Sequence, residues 1–582
     1  MRRILALSAA TLATVATPLV TPAPARACGG FFCDASQPVN QSAERIIFSR
    51  APDGQVTAVI QIQYQGPAER FAWMLPVAGR PTIAVSSNLA FDRLQLATNP
   101  SYRLNTTVEG ECLPEPEMQA TAGGGDFSMD ASGPPSEEDG DVTVVDQGSV
   151  GPYDYVVVSV DPAAATPAAS AIAWLRDNGY DIDDGGADRI GPYLASGMNL
   201  LSFRLTKGND AGAIRPVMIG FGSGLASIPI RPTAVAAVAD MGVMVWVLGP
   251  HRAYPVNYAS LELNEALINW FNPGPTYNAV VTEAANQAGG NGFVTEASGP
   301  ARSLGEAIAP AFEATAWERW KADPSQLATL EQLRQMISTF AAYDGLGDAV
   351  SEHLALPAEV PVAAFLQCPW CYELPTDSDG VVTGFDVAGF VTDVDAEVIA
   401  PVRATQALFA RDVTATRLYT TLSADEMNVD PSFDFNPDLP EVSPAHVADR
   451  VIECSPELQR SEAPWRVSLG DGQVVRGFGA SWPFSLDTSN MPANARVVRI
   501  GPTGPGEVVV DNAAPIGSDL ATHNAEVTRQ AEALIASRGE TVDAVSGGGG
   551  GGCGAGGAGT GWAFLAGGLV AGLGLARRPR RT

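Results

Sequence analysis

Hydrophobic and polar residues alternate with period two from Gln55 to Gln65 (QVTAVIQIQYQ). This puts Val56, Ala58, Ile60, Ile62 and Tyr64 on one face and predicts a half-buried strand. Asp53-Gly54 before it is a turn signal. Phe71–Val77, Leu200–Leu205 and Ile214–Phe221 read as further strands, and Tyr155–Val160 (YVVVSV) as a buried one. Ala226–Val238 and Gly242–Leu248 flank Asp240-Met241, so a hairpin is expected there. Val467–Leu469 and Gln473–Val475 flank Asp471-Gly472, the signature of another hairpin. Helical spacing governs Pro167–Asn178, with Ile172, Trp174 and Leu175 inward, and Val280–Ala288, which Gly289-Gly290 ends. Ser303–Trp320 and Pro324–Tyr343 are the clearest helices. The second opens on Asp323 as N-cap, with Pro324 first and Gln326 third, and lines one face with Leu327, Leu330, Ile337 and Phe340. Ser518–Arg538 reads as a final amphipathic helix. Strands and short helices mix without a regular βαβ rhythm, so the expected class is α+β.

The expected order of parts follows. Residues 28–300 form a β-rich domain with short helices, and residues 301–360 a helical bridge. Residues 361–545 form a second β-rich region. Within the first domain, Leu113–Val150 carries Gly123-Gly124-Gly125, Pro134-Pro135 and Glu137-Glu138-Asp139-Gly140-Asp141. Few residues there suit a core, so it reads as a solvated acidic insertion or disordered loop. Met1–Ala27 has Arg2 and Arg3, an apolar run from Ile4 to Val20, and Ala25-Arg26-Ala27 before Cys28, the pattern of a cleaved secretory signal. A lipoprotein anchor at Cys28 is the alternative, but Ala25 and the charged Arg26 stand where a lipobox wants an apolar approach.

The far end carries its own pattern. Ser546–Gly552 is a glycine spacer, Cys553 follows, and Gly554–Ala576 holds no charge. As a helix that stretch would run about 34 Å, enough for a hydrocarbon core of roughly 30 Å. Its firm apolar part is Trp562–Ala576, and Arg577, Arg578, Arg580 and Arg581 close it. Basic flanks stay cytoplasmic, which leaves the bulk of the chain on the other side of the membrane. Spacer, cysteine, short span and terminal arginines resemble the MYXO-CTERM sorting tail of exported myxobacterial proteins. That resemblance implies processing or lipidation at Cys553 and display at the cell surface. The expected partners are therefore the membrane, the export machinery and a sorting protease.

Net charge sharpens the picture. The chain has 582 residues with a formal charge of −30, from 65 acidic and 35 basic side chains. Nucleic-acid binding needs clustered Lys and Arg, and no basic stripe lies outside the terminal arginines. Six cysteines remain besides Cys553: Cys28, Cys33, Cys112, Cys368, Cys371 and Cys454. In an exported chain an even number suggests disulfides. Cys28–Cys33 and Cys368–Cys371 are plausible local pairs, while the full connectivity stays open.

Several segments together resemble the bacterial family called domain of unknown function 2330. They are ACGGFFC at Ala27–Cys33, PVNQSAERIIF at Pro38–Phe48, IQIQYQG at Ile60–Gly66, FAWMLPV at Phe71–Val77 and VGPYDYVVV at Val150–Val158. WLRDNGYDI at Trp174–Ile182, PIRPTAVAA at Pro229–Ala237 and DMGVMVWVLG at Asp240–Gly249 continue the series. They cover most of residues 27–300 in order. The resemblance implies an exported envelope protein and supplies no activity.

Candidate chemistry is sparse. His251, His353, His446 and His523 form no zinc-protease motif. Gly220–Gly224 (GFGSG) has the wrong spacing for a nucleophile elbow, a phosphate loop or a dinucleotide fingerprint, and reads as a tight turn. Cys368-Pro369-Trp370-Cys371 has redox spacing. Val362–Leu366 before it reads as a strand and Tyr372–Asp377 after it as a turn, so no helix N-terminus activates a thiol there. A structural disulfide is the plain reading, and a Cys₄ zinc site with Cys28 and Cys33 suits an oxidising compartment poorly. Asp377-Ser378-Asp379-Gly380 resembles part of an EF-hand loop. A richer acidic loop opens on Asp430 and places Asp434, Asn436 and Asp438 at alternating positions, a donor set that could take calcium, although it lacks the glycine of an EF-hand. No other cofactor is expected. His251-Arg252 with Tyr254 and Tyr258 could line a ligand site or simply form a satisfied loop. The expected function is an exported, surface-anchored structural, adhesive or ligand-binding protein with an unknown ligand. An envelope hydrolase, or a thiol oxidoreductase at Cys368 and Cys371, is the alternative.

Overall fold

In the computed structural model, residues 40–65, 72–113, 143–161, 166–178, 186–205, 214–234 and 237–546 are described. Period-two apolar patterning builds a ten-stranded sheet at the centre. Its order is Glu507–Asp511, Asn494–Arg499, Ala259–Leu263, Gly292–Pro300, Thr414–Leu422, Ala237–Gly249, Asn40–Arg50, Gln55–Gln65, Val217–Ser223 and Thr82–Val85. Neighbours are antiparallel except for two parallel pairs, Asn40–Arg50 with Ala237–Gly249 and Ala259–Leu263 with Gly292–Pro300. Thr414–Leu422 lies between Ala237–Gly249 and Gly292–Pro300, so strands from early and late in the chain interleave in one sheet.

Alternation along these strands serves two cores. Ile47, Val59, Trp246 and Leu248 face a helical layer built from Asn88–Thr98 and the helices between Ala301 and Arg411. Ile46, Phe48, Ala58, Ile60, Val243, Val245 and Val247 face the other way. They pack against a four-stranded sheet ordered Ala72–Val77, Asn199–Leu205, Tyr153–Ser159 and Thr143–Val150. The outer face of that small sheet, with Met74, Val158 and Leu200, is covered by helices Pro167–Asp177 and Gly186–Ala195. A third core joins helix Pro273–Gln287 to a separate sheet of Ser101–Glu109, Ala445–Glu453, Pro464–Ser468 and Val474–Phe478. The Cys112–Cys454 disulfide ties the ends of two neighbouring strands of that sheet across 342 residues of chain.

Many expected elements are present, including the Gln55–Gln65 strand, the Pro167–Asp177 helix with Ile172, Trp174 and Leu175 buried, and the Asp471-Gly472 hairpin. Others differ for local reasons. The expected hairpin at Asp240-Met241 is one continuous strand, Ala237–Gly249. Asp240 takes φ +55° inside a register shift against Gln41–Ala43, so it marks a bulge and not a reversal. Ser303–Trp320 is two helices, Ala301–Ile308 and Ala311–Ala322, because Pro310 cannot donate a helical hydrogen bond. Pro324–Ala328 is a 3₁₀ turn, and extended Thr329 separates it from helix Leu330–Phe340. The Asp323 carboxylate there accepts from the Ser325 hydroxyl and the Gln326 amide side chain. Val362–Gln367 is a helix where a strand was expected, and helices continue to Arg411. Thr143–Val150, read as part of the insertion, is an exposed strand paired with Tyr153–Ser159. Residues 114–142 lie outside the described set. Among the described residues no helix is long and apolar enough to cross a membrane. The expected span Gly554–Ala576 and the signal segment lie outside them.

Candidate functional site

The two facing sheets do not fill the space between them. A cavity of about 190 Å³ opens between the Asn40–Arg50 and Gln55–Gln65 strands and the Leu75–Ala78 segment of the small sheet. Its floor is Glu44, Ile46, Phe48, Ala58 and Ile60, which period two places on one face of two paired strands. Leu75, Pro76 and Val77 form the opposite wall, with Tyr193 and Met198 at one side. The rim is Phe221, Gly222, Gly224 and Leu225, so the GFGSG segment borders the cleft. Gly220–Ser223 extends a strand instead of turning. At Gly222 and Gly224 a Cβ would meet open space. Apolar walls with few polar groups are the usual make-up of a small-molecule site.

Two carboxyls reach this cleft. Asp430 is engaged: it accepts from the Tyr193 hydroxyl at 2.7 Å and from the Ile230 amide at 3.1 Å. Glu44 is different. It is 5% exposed, and its Oε2 has no hydrogen-bond partner. Burial without a compensating charge pushes its carboxyl up to about 7. A buried, uncompensated ionisable group in a cleft is a functional-site signal. Among the described residues lining the cleft, none is basic.

Other polar clusters are paired internally by charge. Arg417 pairs with Glu296 at 2.5 Å, both deeply buried, and the Tyr277 hydroxyl donates to Glu296 at 2.6 Å. His353 lies 2.7 Å from Asp393 and 3.7 Å from Asp386, with Glu352 alongside. Both of its ring nitrogens face carboxylates.

The sequence-predicted site residues are placed as follows. Asp430, Asp434, Asn436 and Asp438 do not converge on one point. Asp434 pairs with Arg50 at 2.7 Å, the Asn436 side-chain amide donates to the Gly501 and Gly504 carbonyls, and Asp438 accepts from the Gly504 amide. Cys368 and Cys371 are disulfide-bonded around the 3₁₀ turn Pro369–Cys371, which follows a helix C-terminus. Arg334 donates to the Pro369 and Tyr372 carbonyls and braces that turn. Cys112 pairs with Cys454. Cys28, Cys33 and Cys553 lie outside the described residues. Arg252 donates through one guanidinium nitrogen to the Pro440 carbonyl, while its Nε is buried without a partner, and the Tyr258 hydroxyl donates to the Val429 carbonyl.

Glu44 was missed in the sequence, although a signal was there. Glu44, Ile46 and Phe48 share one face in ERIIF, a lone acid in an apolar stripe.

Residues 22–409 match the family model described as "Uncharacterized protein conserved in bacteria (DUF2330)". No curated protein and no solved structure matches the chain.

Proposed function

We propose that this chain, which belongs to the DUF2330 family of bacterial proteins, is an exported, envelope-anchored protein that binds a small, largely apolar ligand between its two sheets. The signal pattern at Met1–Ala27 and the spacer, Cys553, apolar stretch and terminal arginines support export and anchoring. Processing at Cys553 would follow from the resemblance of that tail to the MYXO-CTERM signal. The binding role rests on one observation. An open cleft with apolar walls keeps a 5% exposed carboxyl without a partner. An uncompensated buried acid lowers stability, and chains retain such costs mainly at sites of use.

The direct experiment titrates the purified protein with a neutral apolar dye such as Nile red. Saturable binding at one site per chain is expected. Fluorescence that rises linearly without saturation would contradict the reading.

A further inference from the structure

We infer that the cleft is selective for an apolar ligand carrying one cationic amino group, with the Glu44 carboxylate as its counter-ion. The inference rests on the ligand-binding reading and narrows its chemistry.

The geometry sets the ligand's body. Ile46, Phe48 and Ile60 face Leu75 and Val77 across the cavity, so the bulk of an occupant meets hydrocarbon. The polar demand is at one place. Glu44 Oε2 is buried and has no donor from the protein. Asp430, the other acid at the cleft, is already served by Tyr193 and by the Ile230 amide. In its ionised form Glu44 therefore lacks a donor, and that donor would arrive with the ligand.

Charge selects among donors. No Lys, Arg or His is among the described residues lining the cleft. A ligand carboxylate would add a further anion beside Glu44 and Asp430, where like charges repel strongly in a poorly solvated space. An alcohol donates a hydrogen bond but does not offset the cost of a buried carboxylate. An ammonium group does both: it donates, and its positive charge favours the ionised form of Glu44. Burial that holds the carboxyl near 7 leaves it readily ionised when a cation docks.

The test compares three probes of one shape on the full chain: octylamine, 1-octanol and octanoate, measured by calorimetry at pH 7.5. Octylamine should bind at least tenfold more tightly than 1-octanol, and octanoate more weakly than both. Glu44→Gln should lower octylamine affinity at least tenfold and abolish the preference for octylamine over 1-octanol. Equal affinity for all three probes, or an unchanged octylamine affinity in Glu44→Gln, overturns the amine inference while leaving the cleft as an apolar site. Absence of binding by any probe, together with unsaturable Nile red, overturns both readings.

Discussion

Glu44 sits where a strand's alternation would ordinarily place an aliphatic side chain, and the consequence is a pH dependence with a definite sign. Its folded-state carboxyl lies at about 7, above the unfolded value of 4.5. Between those values the folded chain holds a proton that the unfolded chain has released, so rising pH costs stability. The cost is absent below 4.5, grows across the window and is complete above 7. A shift of this size corresponds to about 3 kcal/mol. Glu44→Gln should therefore be more stable than the parent at pH 8, by up to about 3 kcal/mol, and equal to it near pH 4. Asp430 and Tyr193 are the other titratable groups at the cleft, and both are unchanged in this comparison. Denaturant melts of the two proteins across pH 4–8 read the difference. Parallel stability curves would show that Glu44 is compensated in solution.

At the scale of elements, the rim of the cleft is the end of the Val217–Ser223 strand and the glycines that continue it. Gly224 has no positive φ and no atom within 4 Å of a Cβ, so a large side chain fits there without backbone strain. Gly224→Trp should cap the cleft, reduce Nile red affinity at least tenfold and leave the melting temperature within about 2 °C. Dye binding equal to the parent would place the dye elsewhere. The same segment shows the limits of sequence reading. GFGSG suggests a turn because glycine is common in turns, whereas here Gly220 lies in a strand where a Cβ would run into the Thr82 side chain of the neighbouring strand. The pattern predicts two strands where Ala237–Gly249 is one, because Asp240 interrupts its apolar run and a bulge does the same without ending the strand. Gln55–Gln65 is legible from its strict alternation, although Val59 and Gln61 on its other face are buried too, and Pro167–Asp177 is legible because one face of it is buried. Glu44 was visible as an acid in an apolar stripe, yet its meaning needed the second sheet, which comes from Ala72–Val77 and Asn199–Leu205.

Across the whole molecule, the described body and the two ends of the chain imply different things. The body joins three cores around one ten-stranded sheet and carries the cleft. The ends carry the sequence patterns on which the export and anchoring proposal rests. The anchoring proposal predicts that removing residues 546–582 shifts the protein from the envelope fraction to the medium, with its melting temperature unchanged. Retention of the truncated protein in the envelope would show that other residues hold it there. The interleaving of strands from residues 40–65 and 414–422 in one sheet implies cooperative unfolding of these parts. Cutting the chain between them is therefore a poor way to isolate the site.

The cleft itself can be examined most directly with a crystal of the protein soaked in 8-bromo-1-octanol. Anomalous scattering then reports where the bromine lies. A strong peak among Ile46, Phe48, Ile60 and Leu75 is the expected result. A peak only at the outer surface, in crystals whose cleft is open to solvent, would contradict a ligand site between the sheets.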